Sequence, residues 1–278
     1  MKPLSFEEYQ KIEFKHNISG VYEDSFGKKH YLYAGAELNK KQYRKIFLEM
    51  LKTAELLFSL ANTEEDRKEA ALDLVHDIEA RYNEPGRFYH NLEHYRYVLN
   101  LFESVKSKLT DPESVDIALS FHDVIYDPKE ASGVNETRSA NFMHECLDGL
   151  VKPETLARAE KIILATANSC GATPLDVDSD TAYALDCDLA ILGESPEKYL
   201  EYEQAIRKEY SFCDFETYRQ GRIEFLENLL SRPKIFYTEL FQSTREKQAR
   251  TNIENEIIKL KFRQLGLFPD LDTPSASA

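Results

Sequence analysis

The sequence predicts an all-helical (all-α) domain with a small N-terminal β-hairpin extension, and three observations predict it. Apolar residues recur at 3.6-residue spacing from Asn39 nearly to the C-terminus. Helix-start signals and proline or glycine stops punctuate that pattern again and again. Only residues 1–37 differ in texture, carrying two short β-favouring runs. A 278-residue chain with 42% hydrophobic residues, 16 Phe and 16 Tyr has ample material for a core. The expected division is an N-terminal extension over residues 1–37, a helical domain over 38–266 and a disordered tail over 267–278.

In the extension, Gly20–Glu23 and Lys29–Tyr33 flank Asp24-Ser25-Phe26-Gly27, a hairpin-turn sequence. Asn39 then suits the cap of a helix through Tyr43, Ile46, Phe47, Met50, Leu51, Ala54, Leu57 and Phe58. A second helix spans about Thr63 to Tyr82 and stops at Asn83-Glu84-Pro85-Gly86. Asn91 caps the next, which places His94 in the first turn at the edge of the stripe Val98, Leu101, Val105. Asp111-Pro112 opens a helix that runs into Phe121-His122-Asp123. Asn135-Glu136 begins another and Pro153 the one after. Residues 180–192 carry the stripe Ala182, Leu185, Leu189, Leu192 with Gly193 as stop. On that wheel Asp186 projects inward, while Asp188 groups with Ala184 and Ile191 on the flank and suits a supporting role behind the ligands. Ser195-Pro196, Asp214 and then Ser243 or Thr244 start the remaining helices, the last ending at Gly266.

His and Asp are seldom buried without a partner, and a divalent metal satisfies both at once. His94, His122, Asp123 and Asp186 stand on inward faces of three helices. Two imidazoles and two carboxylates form an N/O set suited to Mn, Mg, Fe, Zn, Co or Ni. Such an ion lowers the pKa of bound water toward neutrality. His16, His30, His76 and His144 lack this company. His90, four residues before His94, and Tyr126 are candidates for contact with substrate. Among the arginines, Arg87, Arg138, Arg207, Arg222 and Arg250 match phosphate geometry, and Arg87 and Arg138 lie nearest the motif.

A formal net charge of −14 argues against a grip on long nucleic acid but leaves room for a small phosphorylated molecule. The chain has no apolar run of 18 residues and its start lacks the apolar core of a signal peptide. Its four cysteines form no Cys-x-x-Cys pair. The expectation is a cytoplasmic protein with no membrane partner.

The order His94, His122-Asp123, Asp186 resembles the HD-domain superfamily of metal-dependent phosphohydrolases. Within it the chain is similar to a branch of predicted phosphohydrolases. The matching stretches include Glu84-Pro85-x-Arg87-x-Tyr89-His90, Phe121 to Asp127, Asn135-Glu136-x-x-Ser139-Ala140 and Asp186-x-Asp188-Leu189-Ala190-Ile191-Leu192-Gly193. Further matches are Ile206-Arg207-x-Glu209-Tyr210, Gly221-Arg222 and Glu246-x-x-Ala249-Arg250-x-Asn252. The resemblance covers roughly residues 40 to 260. It implies an HD-type helical bundle, a divalent metal on His94, His122, Asp123 and Asp186, and hydrolysis of a small phosphate ester or anhydride, nucleotide-like in character. Rival expectations are a nucleotide-binding sensor or an oxygenase or lyase on the same scaffold. The chain departs from the pattern at Asn168-Ser169, where related sequences carry a histidine. Tyr126 stands where alarmone-hydrolysing HD enzymes have glutamate. Asp127 matches their final acid and is thereby the candidate for orienting the attacking water, with Glu136 as substitute.

Overall fold

The helices Leu92–Val105, Pro112–Phe121, Pro153–Thr166, Pro196–Glu209 and Phe215–Ser231 begin where a side chain or a proline offsets the cost of unpaired N–H groups. The structure, a computed structural model, describes residues 20–23, 29–33, 36–39 and 74–263, the first three segments as backbone only. Strands β1 (Gly20–Glu23), β2 (Lys29–Tyr33) and β3 (Ala36–Asn39) form an antiparallel sheet in that order. Val21 pairs with Tyr31, and Tyr31 with Leu38. The turn at residues 24–27, the expected helix after Asn39, the first part of the Thr63–Tyr82 helix, the Gly266 stop and the tail lie outside the described residues.

The rest of the described chain is helical. Residues 74–82 form a helix whose Leu74, Val75, Ile78 and Tyr82 are buried. Then come α1 (Leu92–Val105), α2 (Pro112–Phe121), α3 (Val134–Leu147), α4 (Pro153–Thr166) and α5 (Ser179–Leu189). They are followed by α6 (Pro196–Glu209), α7 (Phe215–Ser231) and α8 (Glu239–Arg263). Asn91 caps α1, Asp111 α2, Ser195 α6 and Asp214 α7, each through its side chain as the sequence predicts. Two starts differ. α3 starts at Val134, one residue before the expected Asn135, and is entered through Gly133 at φ +84°, because glycine accepts a left-handed conformation that side chains resist. α8 begins at Glu239, ahead of Ser243.

The chain divides into two compact units, one reaching Ser169 and including Asp176–Asp188, the other comprising Cys170–Leu175 with Leu189 onward. In the first, α2 is buried from Ser114 through Phe121 and packs on α1 and α4, while α4 also packs on α3. A helix buried on all sides, even at Ser114, Asp116 and Ser120, belongs at the centre of its unit. Full burial of a residue such as Phe121 contributes about 1.5–3 kcal/mol. Asp180, buried at the start of α5, accepts from the Thr110 and Asp111 N–H groups and from Arg158, tying α5 to the approach of α2.

In the second unit a buried Arg222–Glu256 pair at 2.8 Å joins α7 to α8, with Tyr199 donating to Glu256 and Arg222 to Tyr202. The run Glu246-x-x-Ala249-Arg250-x-Asn252 serves the backbone. Glu246 accepts from the Ile235 and Phe236 N–H groups. Arg250 donates to the Leu230 and Arg232 carbonyls, and Asn252 to those of Leu192 and Glu194. Arg207, Arg222 and Arg250, weighed above as phosphate ligands, are thus engaged internally, Arg207 with the Tyr210 carbonyl. No described helix is long and apolar enough to cross a membrane.

Candidate metal centre

Four side chains converge in the first unit. His94 is set by the Asn91 cap, whose side chain accepts from the Glu93 and His94 N–H groups at 2.8 and 3.4 Å. His122 follows the last residue of α2, and its Nδ1 lies 2.9 Å from the Leu119 carbonyl oxygen. A carbonyl only accepts, so Nδ1 carries the proton and Nε2 turns its lone pair inward when the ring is neutral. His94 Nε2 lies 3.2 Å from His122 Nε2. Asp123 Oδ2 is 3.0 Å from His122 Nε2 and 3.2 Å from His94 Nε2. Asp188 Oδ1 is 3.5 and 3.4 Å from the same two nitrogens.

These four ligand atoms lie within 4.8 Å of one another. Bonds of about 2.0–2.2 Å to a common ion place neighbouring donors roughly 3.0–3.5 Å apart and opposite donors near 4.2 Å. The cluster therefore fits a first-row divalent cation in both spacing and donor type. Its electrostatics agree. Burial works against a charged His122, but Asp123 and Asp188 outweigh it and hold the ring's pKa well above the usual value. Burial likewise opposes ionisation of Asp123, yet His122, His90 and hydrogen bonds from His122 and His94 hold the carboxyl well below its usual range. Asp188 is held low against burial by His122 and His94. Two ionised carboxylates facing two imidazoles form a well for positive charge, an arrangement that could hold a metal ion.

Three polar side chains hold the non-helical segment after Asp123. Arg87 donates to the carbonyls of Asp123 and Val124, Ser139 bridges the Ile125 N–H and carbonyl, and Asn135 does the same for Asp127.

Several expected residues sit elsewhere. The structure brings Asp188, not Asp186, to the cluster. The two are separated by roughly 200° around a helix, so one excludes the other, and Asp186 is fully buried in the core instead. Asp127 is exposed, and its Oδ1 accepts from the Lys129 N–H in a tight turn. Its four-residue offset from Asp123 does not bring it to the site, because the helix has already ended at Phe121. Arg138 points outward into an exposed pair with Glu130 at 2.6 Å. Arg87 is only 2% exposed and is committed to backbone carbonyls and Glu84 rather than to a phosphate. Glu136 is close by: half-buried in the first turn of α3, its carboxyl is pushed up by burial and by the charges of Asp123 and Asp188. His90 stacks on Tyr126 with centroids 4.1 Å apart and meets His94 edge-on at 5.7 Å. Ser169, in the departing Asn168-Ser169 pair, is buried and donates to the Thr166 carbonyl.

Comparison of the chain with protein-family models, with curated proteins and with solved structures returned no match. The functional reading therefore rests on this geometry.

Proposed function

We propose that this protein is a metal-dependent phosphohydrolase of the HD type, acting on a small phosphate ester or anhydride of nucleotide-like character. The observation that carries the reading is the convergence of His94, His122, Asp123 and Asp188 around one point, two imidazole nitrogens and two carboxylate oxygens in the chain order of an HD site. A bound divalent cation supplies an activated water and neutralises charge on the phosphate oxygens. The chain's own residues do the rest. Glu136, with its raised pKa, is suited to accept the proton of the attacking water or return it to the leaving oxygen. It takes the role first considered for Asp127. His90, stacked on Tyr126 and edge-on to His94, stands beside the cluster as the candidate for contact with substrate. Asp188, with a 21% exposed side chain, leaves the cluster partly open to solvent. None of the four cysteines is joined in a disulfide, which fits a cytoplasmic setting.

The test is a panel of phosphate esters and nucleotides assayed with Mn, Mg, Fe, Co, Ni or Zn added singly. Metal-dependent turnover that Asp123→Ala abolishes is the expected result. Nucleotide binding without turnover would replace the enzyme with a sensor. A chain that retains no metal and gains none on titration would end both readings.

A further inference from the structure

We infer that Arg87 is the positioning residue of the metal centre, fixing the aim of two of its four ligands from behind; this rests on the metal reading above. α2 ends at Phe121, so the carbonyls of Asp123 and Val124 have left the helical ladder and would be unpaired in a buried region. Gly86, at φ +96°, turns the chain so that Arg87 enters the interior from the opposite side. Its Nη1 then donates to the Asp123 carbonyl at 2.6 Å and to the His90 carbonyl at 3.2 Å. Its Nη2 donates to the Val124 carbonyl at 2.9 Å and to Glu84 Oε2 at 3.2 Å, and Nε reaches the same Glu84 oxygen at 3.3 Å.

A guanidinium has five N–H donors, and these contacts use all of them. None remains for a phosphate. The flat faces are engaged too, since the guanidinium carbon lies 5.4 Å from the Tyr82 ring centre and 5.6 Å from that of Tyr126. Both the direction and the rotation of the group are therefore set. One rigid fork joins the segment that carries Asp123 to the loop that leads through the Asn91 cap to His94. Holding the Asp123 carbonyl fixes the Cα from which its carboxylate springs, and holding the His90 carbonyl fixes the entry to α1. Lysine, a point donor on a flexible stem, cannot make this set of contacts. Losing the groups that orient metal ligands costs about 10–100-fold in metal affinity.

The experiment measures Mn²⁺ affinity by calorimetry, and the Mn²⁺-induced rise in melting temperature, for wild type and Arg87→Lys. The expected result is affinity about 10–100-fold weaker in the variant and a smaller Mn²⁺-induced rise. A purely structural Arg87 would lower the melting temperature with and without Mn²⁺ alike and leave affinity within about twofold, which would overturn the inference while the metal reading stands. Wild-type chain that binds no Mn²⁺ would overturn both. Should Arg87→Lys fail to fold, Glu84→Gln removes the exposed brace of the guanidinium, and Glu93→Gln, beside His94, removes an equal charge as control. Mn²⁺ binding about threefold weaker in Glu84→Gln than in Glu93→Gln is expected, and equal affinities would overturn the inference.

Discussion

Asp116 gives the most quantitative forecast outside the cluster. It lies on α2, the helix that leads into His122, with 8% of its surface exposed and Oδ1 lacking a hydrogen-bond partner among the described residues. Burial pushes its carboxyl up to about 7, against the pull of Lys106 and with a further push from Glu103. An acid whose folded pKa exceeds its unfolded value, near 3.8, favours the folded state only while protonated. Its contribution is complete below the unfolded value and is lost as pH climbs through the folded one. A shift of about three units at 1.36 kcal/mol each sets an upper limit of about 4 kcal/mol, of which about 2–3 kcal/mol falls between pH 5 and 8. Asp116→Asn, neutral throughout, should gain that much relative to wild type over the same range. Urea unfolding of both proteins at half-unit pH steps reads the difference directly. A difference constant within about 0.5 kcal/mol from pH 5 to 8 would refute the assignment of a buried, protonated Asp116.

Glu136→Gln should lower turnover about 10²–10⁴-fold while metal content is unchanged, as measured by steady-state kinetics beside elemental analysis. Arg138→Ala should leave turnover unchanged in steady-state assays and cost no more than about 1 kcal/mol in urea unfolding, because its pair with Glu130 is exposed. Gly193→Ala should cost about 1–3 kcal/mol in urea unfolding, since a Cβ there would meet the Arg245 Cβ at 2.6 Å.

The elements were legible because their ends are chemically marked. Asn91, Asp111-Pro112, Ser195-Pro196 and Asp214 each satisfy N–H groups by local contacts that sequence alone can specify. His94, His122 and Asp123 were legible for a related reason, each being tied to a cap or a helix end. Asp188 was not. The stripe that pointed to Asp186 has meaning only for a helix with one buried face, and residues 181–187 are buried on nearly every side. The apolar pattern therefore carries no rotational information there. The half-open position of Asp188 depends on what α5 packs against. The arginines illustrate the same limit: Arg87 and Arg138 look alike in sequence, yet one is sealed among carbonyls and the other stands in solvent.

Whether His94, His122, Asp123 and Asp188 hold a divalent metal is decided by elemental analysis of purified wild type, Asp188→Asn and Asp186→Asn after equal exposure to Mn²⁺. The predicted result is about one equivalent in wild type and in Asp186→Asn, and less than about a tenth in Asp188→Asn. Full metal in Asp188→Asn with loss in Asp186→Asn, or no metal in the wild type, would contradict it.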